Sequence, residues 1–188
     1  GGDTFLFETQ LENFPWNFDA PVNYFYNSSQ KLIEVIDPTS PPVSIIWDDK
    51  NLQILGVTQN ARANQVYYTS FEDDGIYPYG ASTIAKTGIK VKLIGQNYLV
   101  NHHINQPGDY IVTYWKRNPN ETEWQFVQNT IVLPGTFAIN EQGYFIDELR
   151  IQPVDAMMTT YTYALSDKIS SITQPDNTTA YFQYDSFW

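Results

Sequence analysis

Cysteine is absent from this chain of 188 residues, which excludes disulfide bonds and thiolate metal sites. The absence fits an oxidising exterior as well as a cytosol, so it does not identify a compartment. Basic residues are scarce, with 10 lysines and arginines against 21 aspartates and glutamates and a net charge of −11. Because lysine and arginine supply the affinity for a phosphate backbone, we expect no nucleic-acid partner.

Long apolar runs and sustained helical periodicity are missing too. No stretch approaches the ~20 apolar residues of a membrane helix, so we expect no insertion into a membrane. The Gly1-Gly2 start has neither the basic region nor the apolar core of a signal peptide. The chain is therefore interpreted as a piece excised from a longer protein.

Aromatic and turn-forming residues are abundant, since 14 Tyr, 11 Phe and 5 Trp accompany 11 Pro and 10 Gly. Aromatic and β-branched side chains suit a pleated, half-buried surface, and proline and glycine punctuate turns. The composition therefore predicts an all-β protein.

A short repeat occurs at both ends of the chain. Tyr24-Phe25-Tyr26-Asn27 matches Tyr161-Thr162-Tyr163-Ala164 at an offset of 137 residues, and the offset continues without a gap. Within each end the motif recurs after 21 residues, at Ile45–Asp48 and at Phe182–Asp185. A period of roughly 20 residues is typical of stacked units that are too small to bury an apolar face alone.

We predict that the repeats form two blocks of β-hairpins and that the two blocks pair with each other. Strands 22–35 and 43–47 should lie beside 157–163 and 179–185, because such small blocks would otherwise expose unpaired edges. No third copy follows Asp48, so no further repeat strand is predicted there.

Three parts follow from these boundaries: a hairpin block over 1–62, a β-sandwich over 63–154 and a second hairpin block over 155–188. In the first part, Phe5-Leu6-Phe7-Glu8 is interpreted as a degenerate extra copy of the repeat. The aromatic residues within Asn13–Phe18 are predicted to pack against the first hairpin.

The central part contains several short runs with the period of a β-strand. Every second residue of Gly88–Ile94 is apolar on one face, and Tyr110–Trp115 carries bulky side chains on both faces. Pro107-Gly108 and Pro134-Gly135 mark turns between such runs. This spacing predicts an antiparallel sandwich rather than βαβ units.

Two motifs resemble Rhs/YD-repeat proteins. Phe182-Gln183-Tyr184-Asp185 is similar to the tyrosine-aspartate strand of that repeat, although Asp48-Asp49 stands where the family tends to have Gly-Tyr. The segment Ile146–Arg150, followed by Met158–Tyr163, resembles a junction in large bacterial cell-surface proteins where a strand-rich module is spliced between repeat blocks. Tyr68–Gly75 shares the resemblance.

This resemblance implies a non-catalytic structural or adhesion segment of a large secreted or cell-surface bacterial protein. Its partners would be neighbouring repeats of the parent chain. The alternative that it implies is a part of the β-shell that encloses a toxin in Rhs-type proteins. Four copies do not close a shell, so this alternative requires further repeats outside the fragment.

Residues 66–153 also resemble the jelly-roll sandwich of carbohydrate-binding modules. In that family the first and last strands lie together, often around a structural calcium ion. The resemblance implies a Ca²⁺ site here, because carboxylates occur in both matching segments and calcium takes oxygen ligands. A solvated acidic turn is the simpler alternative. The predicted ligands are Glu72, Asp74 and Asp147.

Catalytic motifs are missing. No pair of carboxylates is singled out for glycoside hydrolysis, no serine lies in a nucleophile elbow, and no glycine-rich phosphate loop is present. His102 and His103 are adjacent, so on a strand their rings point to opposite faces and do not chelate one ion together. We therefore expect no enzymatic activity.

Aromatic side chains outside the repeat are the candidates for binding a glycan, since sugar rings stack on flat apolar faces. Trp115 and Trp124 are interpreted first as packing residues on strands. Loop residues are better placed for recognition. We predict a glycan-binding surface built from Tyr77, Tyr79, Tyr98 and His102.

Overall fold

The computed structural model describes residues 21–164 and 167–185. The predictions for Phe5–Glu8 and Asn13–Phe18 lie outside these residues. The predicted all-β class is confirmed, since the described part forms antiparallel strands and one short 3-10 helix, Ala63–Gln65. The strands are β1 (Asn23–Tyr26), β2 (Leu32–Ile36), β3 (Val43–Trp47), β4 (Ile54–Gln59), β5 (Tyr67–Thr69), β6 (Lys92–Leu93), β7 (Tyr98–Leu99), β8 (Gly108–Arg117), β9 (Gln125–Leu133), β10 (Ala138–Ile139), β11 (Phe145–Pro153), β12 (Met157–Tyr163), β13 (Ile169–Thr173) and β14 (Thr179–Tyr181).

Seven of the strands form one antiparallel sheet in the order β1-β2-β3-β4-β12-β13-β14. The two hairpin blocks meet where β4 pairs with β12, with Val57 opposite Thr159 and Gly56 opposite Thr160. The two hairpin blocks therefore pair as predicted, but the contact is made by β4 and not by the predicted strand 43–47. The central part leaves this sheet after β4 and returns to it at β12 without interrupting the ladder.

Strand β4 corrects one sequence prediction, because no repeat strand was predicted after Asp48. The run Ile54-Leu55-Gly56-Val57 forms that strand, and it closes a hairpin with β3. The turn between them is one residue longer than in the other repeats, since Asp48 N donates to Gln53 O where Asn27 N donates to Lys31 O. This extra residue takes the copy out of the gapless alignment.

The repeat is visible in the backbone as well as in the sequence. Strand ladders shift register at three equivalent places, at Phe25/Tyr26, Ile46/Trp47 and Thr162/Tyr163. The following turns each contain a residue with left-handed backbone angles, namely Gln30, Asn51 and Asp167 with φ of 60°, 57° and 59°. A bulge followed by such a turn increases the local twist of the strands, so each hairpin packs against the next with a similar geometry.

Aromatic residues at one equivalent repeat position tie three of the repeat units to the chain before them. Trp47 Nε1 donates to the carbonyl of Leu32 at 2.8 Å. Tyr163 OH donates to the carbonyl of Ile54 at 2.7 Å, and Tyr184 OH donates to that of Ile169 at 2.9 Å. Since Leu32, Ile54 and Ile169 begin the second strand of the preceding hairpin, we call these three bonds the hairpin clamps.

The clamps give a stability prediction. Replacing Tyr163 by phenylalanine removes the bond to the Ile54 carbonyl and should lower the free energy of unfolding by about 0.5–1.5 kcal/mol in urea denaturation. Tyr161→Phe is the matched control, because the Tyr161 hydroxyl makes no hydrogen bond within the described residues. Equal losses in both variants would contradict the role of the clamp.

The central part is built on a sheet in the order β5-β11-β8-β9, with β6 also paired to β11. One face of this sheet is covered by the two-stranded sheet of β7 and β10 and by connecting segments, which enclose an apolar core. The first and last strands of this sheet in chain order, β5 and β11, lie side by side. The core is consistent with a β-sandwich; its largest buried members include Phe71, Ile94, Tyr110, Leu133, Ile146, Leu149 and Ile151.

Strand β11 also joins the sandwich to the seven-stranded sheet. It bulges at Glu148, which has φ of 53°, so that Asp147 pairs with Trp115 but Arg150 already pairs with Thr113. The bulge directs Glu148 and Arg150 into the space between the two sheets, where both side chains are buried. The segment that the sequence analysis identified as a junction is thus the physical contact between the two units.

Across the described residues there is no helix long and apolar enough to span a membrane.

Candidate functional site

A cleft of about 600 Å³ opens between the seven-stranded sheet and the sandwich. The turn after β3 and the end of β12 form one wall, while β5, the turn after it and Tyr98 form the other. We call it the inter-sheet cleft. The side chains that define its chemistry are Trp47, Asp48, Gln53, Tyr67, Asp73, Tyr98, Asn101, Tyr163 and Asp167.

The sheet wall is held rigid by the clamps. Trp47 and Tyr163 are both fixed by bonds to backbone carbonyls, and the ammonium of Lys31 lies 5.2 Å from the ring centre of Trp47. Asp48 Oδ1 accepts the amides of Leu52 and Gln53 at 2.6 and 2.8 Å, which fixes the turn. These contacts position aromatic side chains and a carboxylate before any ligand arrives.

Gln53 connects the two hairpin blocks at the mouth of the cleft. Its Nε2 donates to Asp167 Oδ1 at 2.8 Å, across the seam between β4 and β12. Amide and carboxylate groups of this kind are the planar polar partners that sugar hydroxyls use.

The sandwich wall carries Tyr67 and Tyr98. Both rings are half-buried, and Tyr98 packs edge-on against Phe71 with ring centres 6.1 Å apart. Burial, followed by the neighbouring Tyr98 and Asp74, raises the pKa of Tyr67 to about 12. Burial also raises the pKa of Tyr98. Both hydroxyls are therefore protonated at neutral pH and are able to donate hydrogen bonds.

The acidic turn after β5 closes the sandwich wall. Glu72 Oε1 accepts the amides of Ile89 and Lys90, each at 3.0 Å, and burial raises the pKa of this carboxyl. Asp74 Oδ2 is paired with Lys92 Nζ at 2.7 Å. Asp73 is exposed between them. Most of the turn's acceptors are therefore engaged with the protein itself.

The predicted calcium ligands are placed in different surroundings. Asp147 is fully buried, and its two oxygens accept the amides of Glu148 and Thr87 at 2.7 and 2.9 Å. Glu72 binds backbone amides and Asp74 binds a lysine, as described above. Over residues 21–164 and 167–185, no group of three or more histidine, cysteine or acidic side chains is arranged to hold a metal ion. The calcium site stays a prediction from resemblance.

The predicted glycan-binding residues are divided by the structure. Tyr98 lines the inter-sheet cleft, whereas Tyr77, Tyr79 and His102 do not. Tyr77 is 67% exposed, and Tyr79 is half exposed with its ring edge-on to Phe145, 5.1 Å between centres. His102 Nδ1 accepts the amide of Ile104 at 3.3 Å, which places the ring in a local turn.

The two loop tyrosines should respond differently to truncation. Tyr79→Ala loses the contact with the buried Phe145 ring and should lower the melting midpoint, at a cost of about 0.5–1.5 kcal/mol beyond the area that it buries. Tyr77→Ala removes an exposed ring and should leave the midpoint within error. Equal midpoints for the two variants in a thermal melt would contradict the packing role of Tyr79.

Trp115 and Trp124 are packed, as the sequence predicted, although Trp124 lies just before β9 and not within a strand. Trp115 lies beside Phe126 at 5.2 Å between centres, with Lys86 Nζ 3.8 Å above its ring. Trp124 stacks on the guanidinium of the buried Arg117 at 4.8 Å. Both rings therefore stabilise the sandwich.

Sequence reasoning missed Tyr67 on the sandwich wall, and it sought binding residues only outside the repeat, which left out Trp47 and Tyr163. A signal for the second pair was available, because the two residues occupy the same repeat position and must fall on the same side of a continuous sheet. Tyr67 carried no such signal, since its neighbour across the cleft comes from a distant part of the chain.

Taken together, the fold and the cleft define an all-β protein in which a repeat sheet and a sandwich share an aromatic, acidic groove. No protein-family model matches the chain, and neither a search of curated proteins nor a search of solved structures finds a match.

Proposed function

We propose that this chain is a non-catalytic structural and adhesion segment of a larger secreted or cell-surface repeat protein, and that it binds a glycan in the inter-sheet cleft. The observation that carries the proposal is that the cleft has one wall from each unit, Trp47 and Tyr163 from the repeat sheet and Tyr67 and Tyr98 from the sandwich. Inserting the sandwich between the hairpin blocks thereby creates a concave surface that neither unit has alone.

Glycan is the ligand class that suits this surface best. Aromatic faces stack on the apolar faces of sugar rings, and the carboxylate and amide groups of Asp48, Gln53 and Asn101 are suited to binding hydroxyls. A cleft of about 600 Å³ lies within the range of about 300–1,000 Å³ that small-ligand sites occupy.

The structural part of the proposal is supported by the hairpin clamps. Tyr26 stands at the clamp position of the first hairpin and is 41% exposed, and its hydroxyl makes no hydrogen bond within the described residues. In the part of the chain that the structure describes, strands β1 and β14 are the two edges of the seven-stranded sheet. Further hairpins of the parent chain would extend these edges and complete the first clamp, so neighbouring repeats are the proposed partners.

A glycan array tests the adhesion role with wild type, Tyr98→Ala and Tyr77→Ala. We expect retention on at least one glycan by wild type and Tyr77→Ala, and its loss in Tyr98→Ala. A thermal melt of each variant checks that the fold is intact. Loss of retention only in Tyr77→Ala would move the site to the exposed loop, and the absence of retention by wild type would refute glycan binding.

A second candidate function is a section of the β-shell that encloses a toxin in Rhs-type proteins. The edges that β1 and β14 form within the described residues favour it, because a series of hairpins could continue the sheet at either edge. Limited proteolysis of the parent protein separates the two functions. A shell would protect an enclosed C-terminal domain until the repeats themselves are cleaved, whereas an adhesion segment would not.

A further inference from the structure

We infer that the glycan recognised by the inter-sheet cleft is positively charged, namely an oligosaccharide of amino sugars with free amines. This inference rests on the proposed glycan-binding function, and it adds the ligand class that the charges of the cleft would select. The site itself is the cavity with its aromatic walls. The charges decide which sugars fit it.

The cleft has a strong excess of negative charge. Among the described residues, its lining contains one lysine, Lys50, against six carboxylates: Asp48, Asp49, Glu72, Asp73, Asp74 and Asp167. Three of the six are partly compensated, since Lys92 pairs with Asp74 and two backbone amides bind each of Glu72 and Asp48. Within this described lining, a single lysine accompanies the other three carboxylates.

These carboxylates stand on both walls. Asp48 and Asp167 belong to the repeat sheet, and Asp73 belongs to the turn after β5 on the sandwich. Asp48 uses Oδ1 to fix its turn, and its Oδ2 accepts no hydrogen bond from the described residues. A ligand in the cleft is therefore flanked by negative charge from two directions, with Tyr67 and Tyr98 beside it.

This arrangement discriminates between classes of glycan. Uronate, sialic acid and phosphorylated sugars would bring a like charge into the cleft, which opposes binding. Neutral sugars would stack on the tyrosines without using the charge. A free amino sugar uses both features, because its ring stacks and its ammonium group pairs with the carboxylates.

The experiment compares two probes of equal length, glucosamine oligosaccharides and N-acetylglucosamine oligosaccharides, by titration calorimetry with the full chain. The buffer is acidic enough to protonate the free amines. We expect the glucosamine probe to bind at least roughly tenfold more tightly, with an affinity that falls as salt is added.

Two substitutions test the source of this preference. Asp73→Asn removes an exposed charge, and Asp167→Asn keeps an acceptor for Gln53 while suiting the left-handed backbone at that position. The double variant should bind both probes with similar affinity. Glu123→Gln is the matched control, because this exposed carboxylate lies outside the cleft and its removal should preserve the preference.

The outcomes separate this inference from the proposed function. If both probes bind equally and Tyr98→Ala abolishes both, the cleft binds glycans but its charge does not select amines, and the inference is wrong. If the double variant keeps the full preference, the inference is also wrong. If neither probe binds and a glycan array is empty, the proposed function itself fails.

Discussion

Arg150→Met is expected to lower the free energy of unfolding by about 3–5 kcal/mol, because it leaves the buried carboxylate of Glu148 without its partner. The side chains of Arg150 and Glu148 are 3% and 2% exposed, and Arg150 Nη2 lies 3.1 Å from Glu148 Oε2. When one charge of a buried pair is removed, the desolvation cost of the other charge is no longer offset by their mutual attraction.

The loss should be large because the pair is the centre of a wider network. Arg150 also donates to the carbonyls of Thr173 and Gln174 at 3.2 and 3.1 Å, and to Thr160 Oγ1. Glu148 accepts the hydroxyl of Tyr68 at 2.5 Å. One substitution therefore breaks contacts to both hairpin strands β12 and β13 at once.

Urea denaturation measures this effect against a matched ion pair. Asp74→Asn breaks the exposed pair with Lys92, whose side chains are 59% and 26% exposed, and should cost about 0–1 kcal/mol. The double variant Glu148→Gln/Arg150→Met should lose less than the sum of its single variants, since neither charge is then unpaired. A loss for Arg150→Met no larger than that of Asp74→Asn would show that the network does not join the units.

Asp147→Asn is expected to flatten the dependence of stability on pH. Burial, reinforced by the charge of Glu148, raises the pKa of the Asp147 carboxyl well above its ordinary value of 3.8, and the bonds from the Thr87 and Glu148 amides only partly oppose this. The folded protein thus holds a proton that the unfolded chain has already released.

The sign of the effect follows from this difference. The contribution of Asp147 is fully present below its unfolded pKa and is lost as pH rises through its folded pKa. Within that window the wild type should lose about 1.4 kcal/mol per pH unit relative to Asp147→Asn. Urea unfolding of both proteins at a series of pH values measures the two slopes, and parallel curves would contradict the prediction.

Asp176→Asn provides a control of opposite sign. Hydrogen bonds from the side chain and backbone of Thr178 lower the pKa of Asp176. Its contribution is present above the unfolded pKa and is lost as pH falls through the folded pKa. Removing Asp176 should therefore lessen the loss of stability as pH falls below the unfolded pKa, whereas removing Asp147 changes the slope of stability with pH only above that value.

The repeat was the part of the fold that the sequence predicted best. Equal spacing put equivalent residues at equivalent turns and bulges, and edge strands that lack partners favoured pairing of the two blocks. The strand at Ile54–Gln59 was not predicted, because the turn before it is longer by one residue and this breaks the gapless alignment of the repeats. The local sequence pattern thus located the hairpins. The pairing of the two blocks was predicted from the need of their edge strands for a partner.

The candidate site was predicted only in part. Tyr98 was identified from its place in a loop outside the repeat, and it does line the cleft. Tyr79 resembled Tyr77 in the sequence, yet one ring packs on a core phenylalanine and the other does not. Adjacent residues in one loop have the same local chemistry, and only packing distinguishes their roles.

The sequence by itself determined the all-β class, the position of the repeats and the segment where the sandwich rejoins them, because periodicity and turn residues act over short distances. Only the tertiary structure decided that Glu148 and Arg150 form a buried pair, that Asp147 is sealed from water, and that the clamp residues face Tyr67 across a cleft. These properties depend on which distant strands become neighbours. Burial and charge pairing are set by that arrangement, not by spacing along the chain.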